Sequence, residues 1–349
     1  MKILYAIQGT GNGHLARAQD VIKVLKKKVN VDILISGTQA DLNLNYPVKY
    51  RLHGLSFIFG TKGGVDIWKT LTNINFKKLY HEISKLPVEE YDLVINDFEP
   101  ISAWACKFKK IPCISLSHQS AILNKNVPKP KSYDPIGYFI LKYYAPAAYN
   151  FSFHFSNYNK NIFTPIIRDE IRTVSKKDLG YYTVYLPSYS DEKLIDIFSR
   201  FKNVQWEIFS KHNKKAFSCK NINIYPVSKA HFTKSLSGCR GILCGAGFET
   251  PAEALFLGKK LMVIPMKKQL EQQYNAAALK KIGVPVINKL APENYDTIEK
   301  WLKNNHRIKI EYPDTTEEII NKLFSYYSHK CISTPLDVKY QQFELDATI

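Results

Sequence analysis

Four side chains suited to proton transfer fall where apolar, strand-like runs end: His14, Asp97, Glu99 and His118. His14 closes a glycine-rich loop, Gln8-Gly9-Thr10-Gly11-Asn12-Gly13, after the run Ile3 to Ile7. Imidazole has an ordinary pKa near ~6.5, so a histidine on such a loop suits a general base. Asp97 follows the run ending at Asn96 and is the residue type that orients a histidine through its second ring nitrogen. Simpler roles compete. His14 could cap the helix that follows or touch a phosphate, Asp97 and Glu99 could cap a helix beginning at Ile101, and His118 could belong to a structural turn.

A second constellation lies between Gly241 and Pro285. The run Gly241 to Cys244 reads as a buried strand end, followed by the turn Gly245-Ala246-Gly247-Phe248. A helix is expected next, with Thr250 as N-cap, Pro251 at its first position and Glu253 completing a capping box. Such a strand-loop-helix unit aims unpaired N–H groups and the positive end of a helix dipole at one point, which suits phosphate. A further strand, Lys260 to Ile264, leads through Pro265 to a helix opening with Glu271, Gln272 and Asn275. Polar groups thus collect at the carboxyl ends of two neighbouring strands, the edge where open α/β sheets bind ligands.

The pattern Glu253-Ala254-x-x-x-Gly258, Pro265, Glu271-Gln272-x-x-Asn275-Ala276 resembles the donor signature of GT-B glycosyltransferases, the MurG-like and UDP-glycosyltransferase group. The resemblance implies two Rossmann-like α/β domains with parallel sheets facing across a cleft. It implies that Glu253 holds the ribose of a nucleotide-sugar and that Glu271, Gln272 and Asn275 reach its sugar. The turn at Ser188 takes the place of the family's Gly-Gly-Ser phosphate loop, without its glycines, and backbone groups near Val227 take the nucleobase site. The plant-type histidine is replaced by Gly245, which removes one side-chain contact to phosphate. Thr250, Gly247 and Phe248 complete the donor set. Gly11, Asn12, Gly13, Glu99 and His118 are placed on the acceptor side, with His14 and Asp97 as the catalytic pair.

The reaction implied by this resemblance is inverting, metal-independent transfer of a sugar from a nucleotide donor, UDP-linked, to a hydroxyl acceptor, either lipid-linked or a cell-surface glycan. No cofactor is expected. The alternatives are a MurG-like nucleotide-sugar hydrolase, a 2-epimerase of the same fold (its acid-rich motif is not seen here) and a non-catalytic nucleotide-sugar-binding protein.

The elements that must position these groups read as repeated strand-helix units. Residues 1–160 form an acceptor-side domain, 156–178 a linker, 178–312 a donor domain, and 313–349 a helix and tail returning to the first domain. The first helix is expected from Leu15 to about Lys28, on apolar Leu15, Ala18, Val21, Ile22 and Leu25. A dinucleotide fingerprint is not met, because His14 replaces its third glycine and Ser36-Gly37 offers no ribose-binding acid. Gly54 to Gly64 reads as a loop, followed by a helix from Val65 to about Leu86.

At 349 residues the chain fits two domains, with 45% hydrophobic and 23% charged residues, as in soluble globular proteins. No apolar run reaches the ~20 residues that span a bilayer, and the N-terminus reads as a strand rather than a signal peptide. A cytoplasmic protein, peripheral at the inner membrane face, is expected. The six cysteines form no CxxC pair and read as buried thiols, and the other histidines lack ligand spacing, so no metal is expected. The net charge of +18 is spread over both halves and favours anionic partners. The aromatic stretch 133–155, with Lys125, Lys129, Lys131 and Lys142, reads as core packing or as a surface for an anionic membrane. No nucleic-acid-binding motif is present.

Overall fold

The computed structural model describes residues 1–10, 12–37, 44–55, 75–131 and 134–329. The expectations for Gly11, the segment 56–74, Tyr133, Cys331 and the tail from 330 lie outside the described residues.

The first domain is built from β1 (Lys2–Gln8), α1 (Asn12–Leu25), β2 (Asn30–Ser36), β3 (Tyr50–Leu52), α2 (Phe76–Lys85), β4 (Leu93–Asp97), α3 (Pro100–Lys109), β5 (Cys113–Ser117), α4 (His118–Ile122), α5 (Pro135–Tyr144), β6 (Tyr149–Phe153) and β7 (Ile162–Phe163). Among the described residues its sheet has seven parallel strands in the order β3-β2-β1-β4-β5-β6-β7. β1 is an unbroken apolar run because both its faces are buried. Ile3, Tyr5 and Ile7 enter one core, and Leu4 and Ala6 enter the other.

After α6 (Asp169–Thr173) the second domain comprises β8 (Tyr182–Tyr185), α7 (Asp191–Phe198), β9 (Trp206–Ser210), β10 (Phe217–Cys219), β11 (Ile222–Pro226), α8 (Lys229–Gly238), β12 (Gly241–Gly245), α9 (Glu249–Phe256), β13 (Lys260–Ile264), α10 (Leu270–Lys281) and α11 (Tyr295–Lys303). Its sheet order is β10-β11-β9-β8-β12-β13, with only β10 antiparallel among the described strands. The last described helix, α12 (Thr316–Tyr327), lies against the first domain: Tyr327 Oη donates to the Asp92 carbonyl at 2.7 Å, and Tyr326 packs edge-on to Tyr149 and Phe151.

Both sheets reverse their winding direction once, between β1 and β4 and between β8 and β12. Such reversal points open a crevice beyond the strand ends, where neighbouring crossovers leave to opposite faces. β1 and β4 run in register, with Ile7 opposite Asp97, so the residues that follow β1 meet the end of β4.

Several boundaries differ from expectation. α1 starts at Asn12, so His14 sits in its first turn and is aimed by the helix rather than by a loop. β7 extends the first sheet to Phe163. Of the aromatic stretch, Tyr144, Phe151, Phe153 and Phe155 are buried, while Phe139 is exposed, as is nearby Ile136. No described helix is long and apolar enough to cross a membrane.

Candidate active site

At the first reversal point, His14 Nδ1 and Asp97 Oδ1 lie 2.9 Å apart. With Asp97 ionised, Nδ1 carries the proton and donates, which leaves Nε2 with its lone pair toward the cleft. Burial opposes ionisation of Asp97, yet Arg17 and His14 hold its carboxyl below the usual carboxylate range. Arg17 lies three residues after His14 on the same face of α1, and its Nη2 donates to both Asp97 oxygens at 2.9 and 2.8 Å. Its Nη1 reaches across the cleft to the Glu249 carboxylate at the start of α9. The arginine side chain is only 2% exposed, so this chain of charges, from His14 to Glu249, is a buried tie between the domains.

Gln119 completes the setting. Its amide nitrogen lies 3.2 Å from His14 Nε2 and donates to Glu271 Oε2 at 3.1 Å. Reversing the amide would set its oxygen against the Glu271 carboxylate, so the amide nitrogen is the end that faces His14. The lone pair of Nε2 therefore already meets a donor. These groups line a cavity of about 290 Å³ between the domains, with Gln8, Phe98, Phe248, Lys268 and Leu270 among its walls.

A second cavity, of about 810 Å³, opens beyond the carboxyl ends of β8, β9 and β11 and over the start of α9. Val227, Thr250 and Glu253 line it, as do Arg168, Lys211, Lys214 and Lys229. The two cavities share Gly13 and Glu249. A Cβ on Gly13 would stand 3.0 Å from Glu249 Cγ, so glycine permits the close approach of α1 to α9.

The structure corrects several expected roles. Thr250 does not cap α9: the helix begins at Glu249, and its capping position, Phe248, makes no side-chain bond. Glu253 completes no capping box, because its carboxylate is gripped by Arg168, with Nε to Oε1 at 2.5 Å and Nη2 to Oε2 at 2.8 Å. Glu99 is not on the acceptor surface. It is fully buried, caps α3 through the N–H groups of Ile101 and Ser102, and accepts from Ser36 Oγ. His118 lines the smaller cavity, but both of its ring nitrogens are engaged within the protein. Nδ1 donates to the Phe153 carbonyl, Nε2 lies 2.7 Å from Asn275 Oδ1, and the ring stacks on Phe248 at 3.8 Å. Burial lowers its pKa. Asn275 is itself fully buried between His118 and the Ala246 carbonyl, so it ties the domains together instead of meeting a sugar. Ser188 is not among the residues that line either cavity, and its turn leads into α7, which Ser190 caps. Gln272 Oε1 is taken by the Met266 N–H and faces Gly245. Gly247 has open space where a side chain would stand. Asn12 lines the larger cavity and Glu271 the smaller.

Sequence reasoning missed Arg17, Gln119, Arg168 and Glu249. Glu249 and Glu253 share one face of α9 at i,i+4, and Arg17 follows His14 at i+3, so helical spacing held a signal for two of them.

The geometry defines a class: two Rossmann-like domains whose ligand-binding edges face one cleft, the GT-B architecture. The chain belongs to glycosyl transferase family 1, whose profile matches residues 1–305. It is a glycosyltransferase by family. Solved structures share the fold at low identity. MurG of Acinetobacter baumannii is 17% identical, with 93% of this chain and 99% of that chain covered and a TM-score of 0.57. A UDP-glucosyltransferase of Polygonum tinctorium capable of glucosylating indoxyl is 11% identical over 94% and 98%, with a TM-score of 0.59. Phytolacca americana UGT2, complexed with UDP-2-fluoro-glucose and pterostilbene, is 14% identical over 94% and 99%, with a TM-score of 0.56. Among curated proteins, none matches this sequence.

Glu249 supplies a pH signature. Burial pushes its carboxyl from the ordinary 4.5 up to about 7, against the pull of Arg17 and with the push of Glu253. A raised carboxyl pKa means that the folded state binds the extra proton. The stability this group contributes is therefore complete below about pH 4.5 and is lost as pH rises through about 7. Between pH 5 and 8 the wild type should lose roughly 1–3 kcal/mol relative to Glu249→Gln. Urea midpoints of both proteins across that range measure it. A constant difference would mean that Arg17 keeps the carboxylate ionised throughout.

Proposed function

We propose that the protein moves a sugar from a UDP-linked donor to a hydroxyl acceptor with inversion at the anomeric carbon. The observation that carries this reading is the placement of the His14–Asp97 pair beside Gly13 and Glu249, where the two cavities meet. The donor takes the larger cavity. Its nucleobase lies near the Val227 backbone and its ribose near Glu253. Its diphosphate lies at the start of α9, with Lys211, Lys214 and Lys229 supplying positive charge without a metal. That the Phytolacca enzyme is complexed with UDP-2-fluoro-glucose supports the choice of nucleotide.

The acceptor hydroxyl displaces the Gln119 amide from His14 Nε2. The imidazole then removes its proton as the acceptor oxygen attacks the anomeric carbon. The bond from that carbon to the donor phosphate breaks, and UDP leaves with the electron pair. Asp97 holds the ring in the required tautomer, and Arg17 holds Asp97.

Glu253→Ala tests the donor half. UDP affinity should fall by about 1–3 kcal/mol, the range for losing hydrogen bonds to a charged group. Calorimetric titration measures this, with circular dichroism to confirm that the variant is folded. Arg168 keeps Glu170 as a partner in the variant, which limits the structural damage. Unchanged affinity would leave Glu253 as a structural partner of Arg168 alone.

A further inference from the structure

β5 and β6 break a rule of parallel sheets. Helices normally cover both faces of such a sheet, so both faces are apolar. Here Ile114, Leu116, Phe151 and Phe153 enter the core on one side as expected. The opposite side carries Ser115, Ser117, Asn150 and Ser152. Strand register pairs Ser115 with Asn150 and Ser117 with Ser152, so the four form one contiguous polar block. All three serines are buried.

This block is the floor of a third cavity, of about 690 Å³, well within the ~300–1,000 Å³ of small-molecule sites. Ser120 within α4, Asn124 just after it, Asn159 and Asn161 before β7, and Tyr138 on α5 add further hydroxyl and amide groups to its walls. Such groups both donate and accept, carry no charge, and are spaced over a broad surface. That chemistry fits the vicinal hydroxyls of a saccharide. Ser115 and Ser117 bond to each other, and Ser117 to Ser120, so an apolar aglycone would leave unmet only the hydrogen-bonding capacity that remains on these hydroxyls and on the other polar groups of the walls, at a cost in affinity. Lys107 and Lys142 also line the cavity and add positive charge, which favours acidic sugars.

The cavity adjoins the interdomain one, since Phe98 and Leu141 line both. Phe98 is a bulky residue in the left-handed region, at φ 57°, with its ring stacked on Tyr144 at 4.7 Å. Such a backbone conformation is strained for a bulky residue and persists only where the surroundings demand it. Here it sets an aromatic face at the passage from one cavity to the other.

We propose that this polar cavity is a second acceptor subsite, which holds the non-reacting residue of an oligosaccharide acceptor while the adjoining residue offers its hydroxyl to His14. The proposal rests on the transferase reading and adds to it the class of acceptor, a glycan of two or more sugar residues.

The test is the length dependence of binding to the full chain in the presence of UDP. The probes are N-acetylglucosamine oligomers and galacturonate oligomers of one to four residues. Affinity in at least one series should rise tenfold or more from the single residue to the longer members. Ser152→Leu, which fills the floor, should abolish that rise and leave UDP affinity unchanged. Asn161→Ala, on the more open wall, should reduce the rise severalfold and guards against misfolding of the first variant. Affinity independent of length in both series, or a rise that survives in both variants, would overturn the subsite. Absence of UDP binding in the wild type would instead overturn the donor reading, so the two failures are distinct.

Discussion

Replacing His14 by alanine should lower the rate of sugar transfer by roughly 10²–10⁴-fold, the range for loss of a positioned general base. The UDP affinity should stay within about twofold, because His14 lines the interdomain cavity and is not among the side chains lining the larger one. Steady-state kinetics with saturating donor, together with calorimetric UDP titration, separate the two quantities. A loss confined to kcat supports the base. Turnover like that of the wild type, or an equal loss of UDP binding, would sink the assignment. Glu271 and Glu249 would then be the groups to examine, since both line the same cavity. Glu99 and His118 would not, because their polar atoms are committed to the helix cap, to Phe153 and to Asn275.

Arg17→Met should destabilise the fold by about 3–5 kcal/mol, the usual cost of removing one partner from a buried ion cluster. Methionine fills much of the same space, so the loss reports charge more than volume. The reason is geometric. Arg17 is buried, neutralises Asp97 within the first domain and reaches Glu249 in the second. Without it, the Asp97 carboxylate is left fully buried with no cationic partner, and Glu249 loses the charge that pulls its carboxyl pKa down. Urea denaturation of wild type, Arg17→Met and the triple variant Arg17→Met/Asp97→Leu/Glu249→Leu measures this. The triple variant should recover most of the loss, because an apolar replacement of a whole buried cluster is often neutral. A change below about 1 kcal/mol in Arg17→Met would mean that water reaches the cluster and screens it.

Local signals carried much of the architecture. The apolar runs at Ile3 to Ile7, Gly241 to Cys244 and Lys260 to Ile264 are strands, and their continuity reflects burial on both faces. Because strands alternate with helices, a parallel sheet followed, and with it the edge where polar residues gather. His14 and Asp97 were legible for that reason. Val227 and Thr250, which follow a strand end and open a helix, do line the larger cavity.

Other residues at those same strand ends were misread, and the cause is the same in each case. Glu99, His118 and Asn275 have the residue types of a ligand site, but each finds a buried protein partner 2 to 157 positions away. Thr250-Pro251-Ala252-Glu253 has the spacing of a capping box, yet Arg168, 85 positions distant, takes the glutamate. Sequence spacing determined which groups share a helix face or a sheet edge, since those depend on periods of 3.6 and 2. Only the tertiary structure decided which of them stay open to a ligand. That depends on how two domains meet: Arg17 and Glu249, 232 positions apart, become neighbours only when α1 and α9 close on Gly13. Burial there makes an unpaired charge costly, so the packing of the interface, which no local pattern encodes, selects the partners.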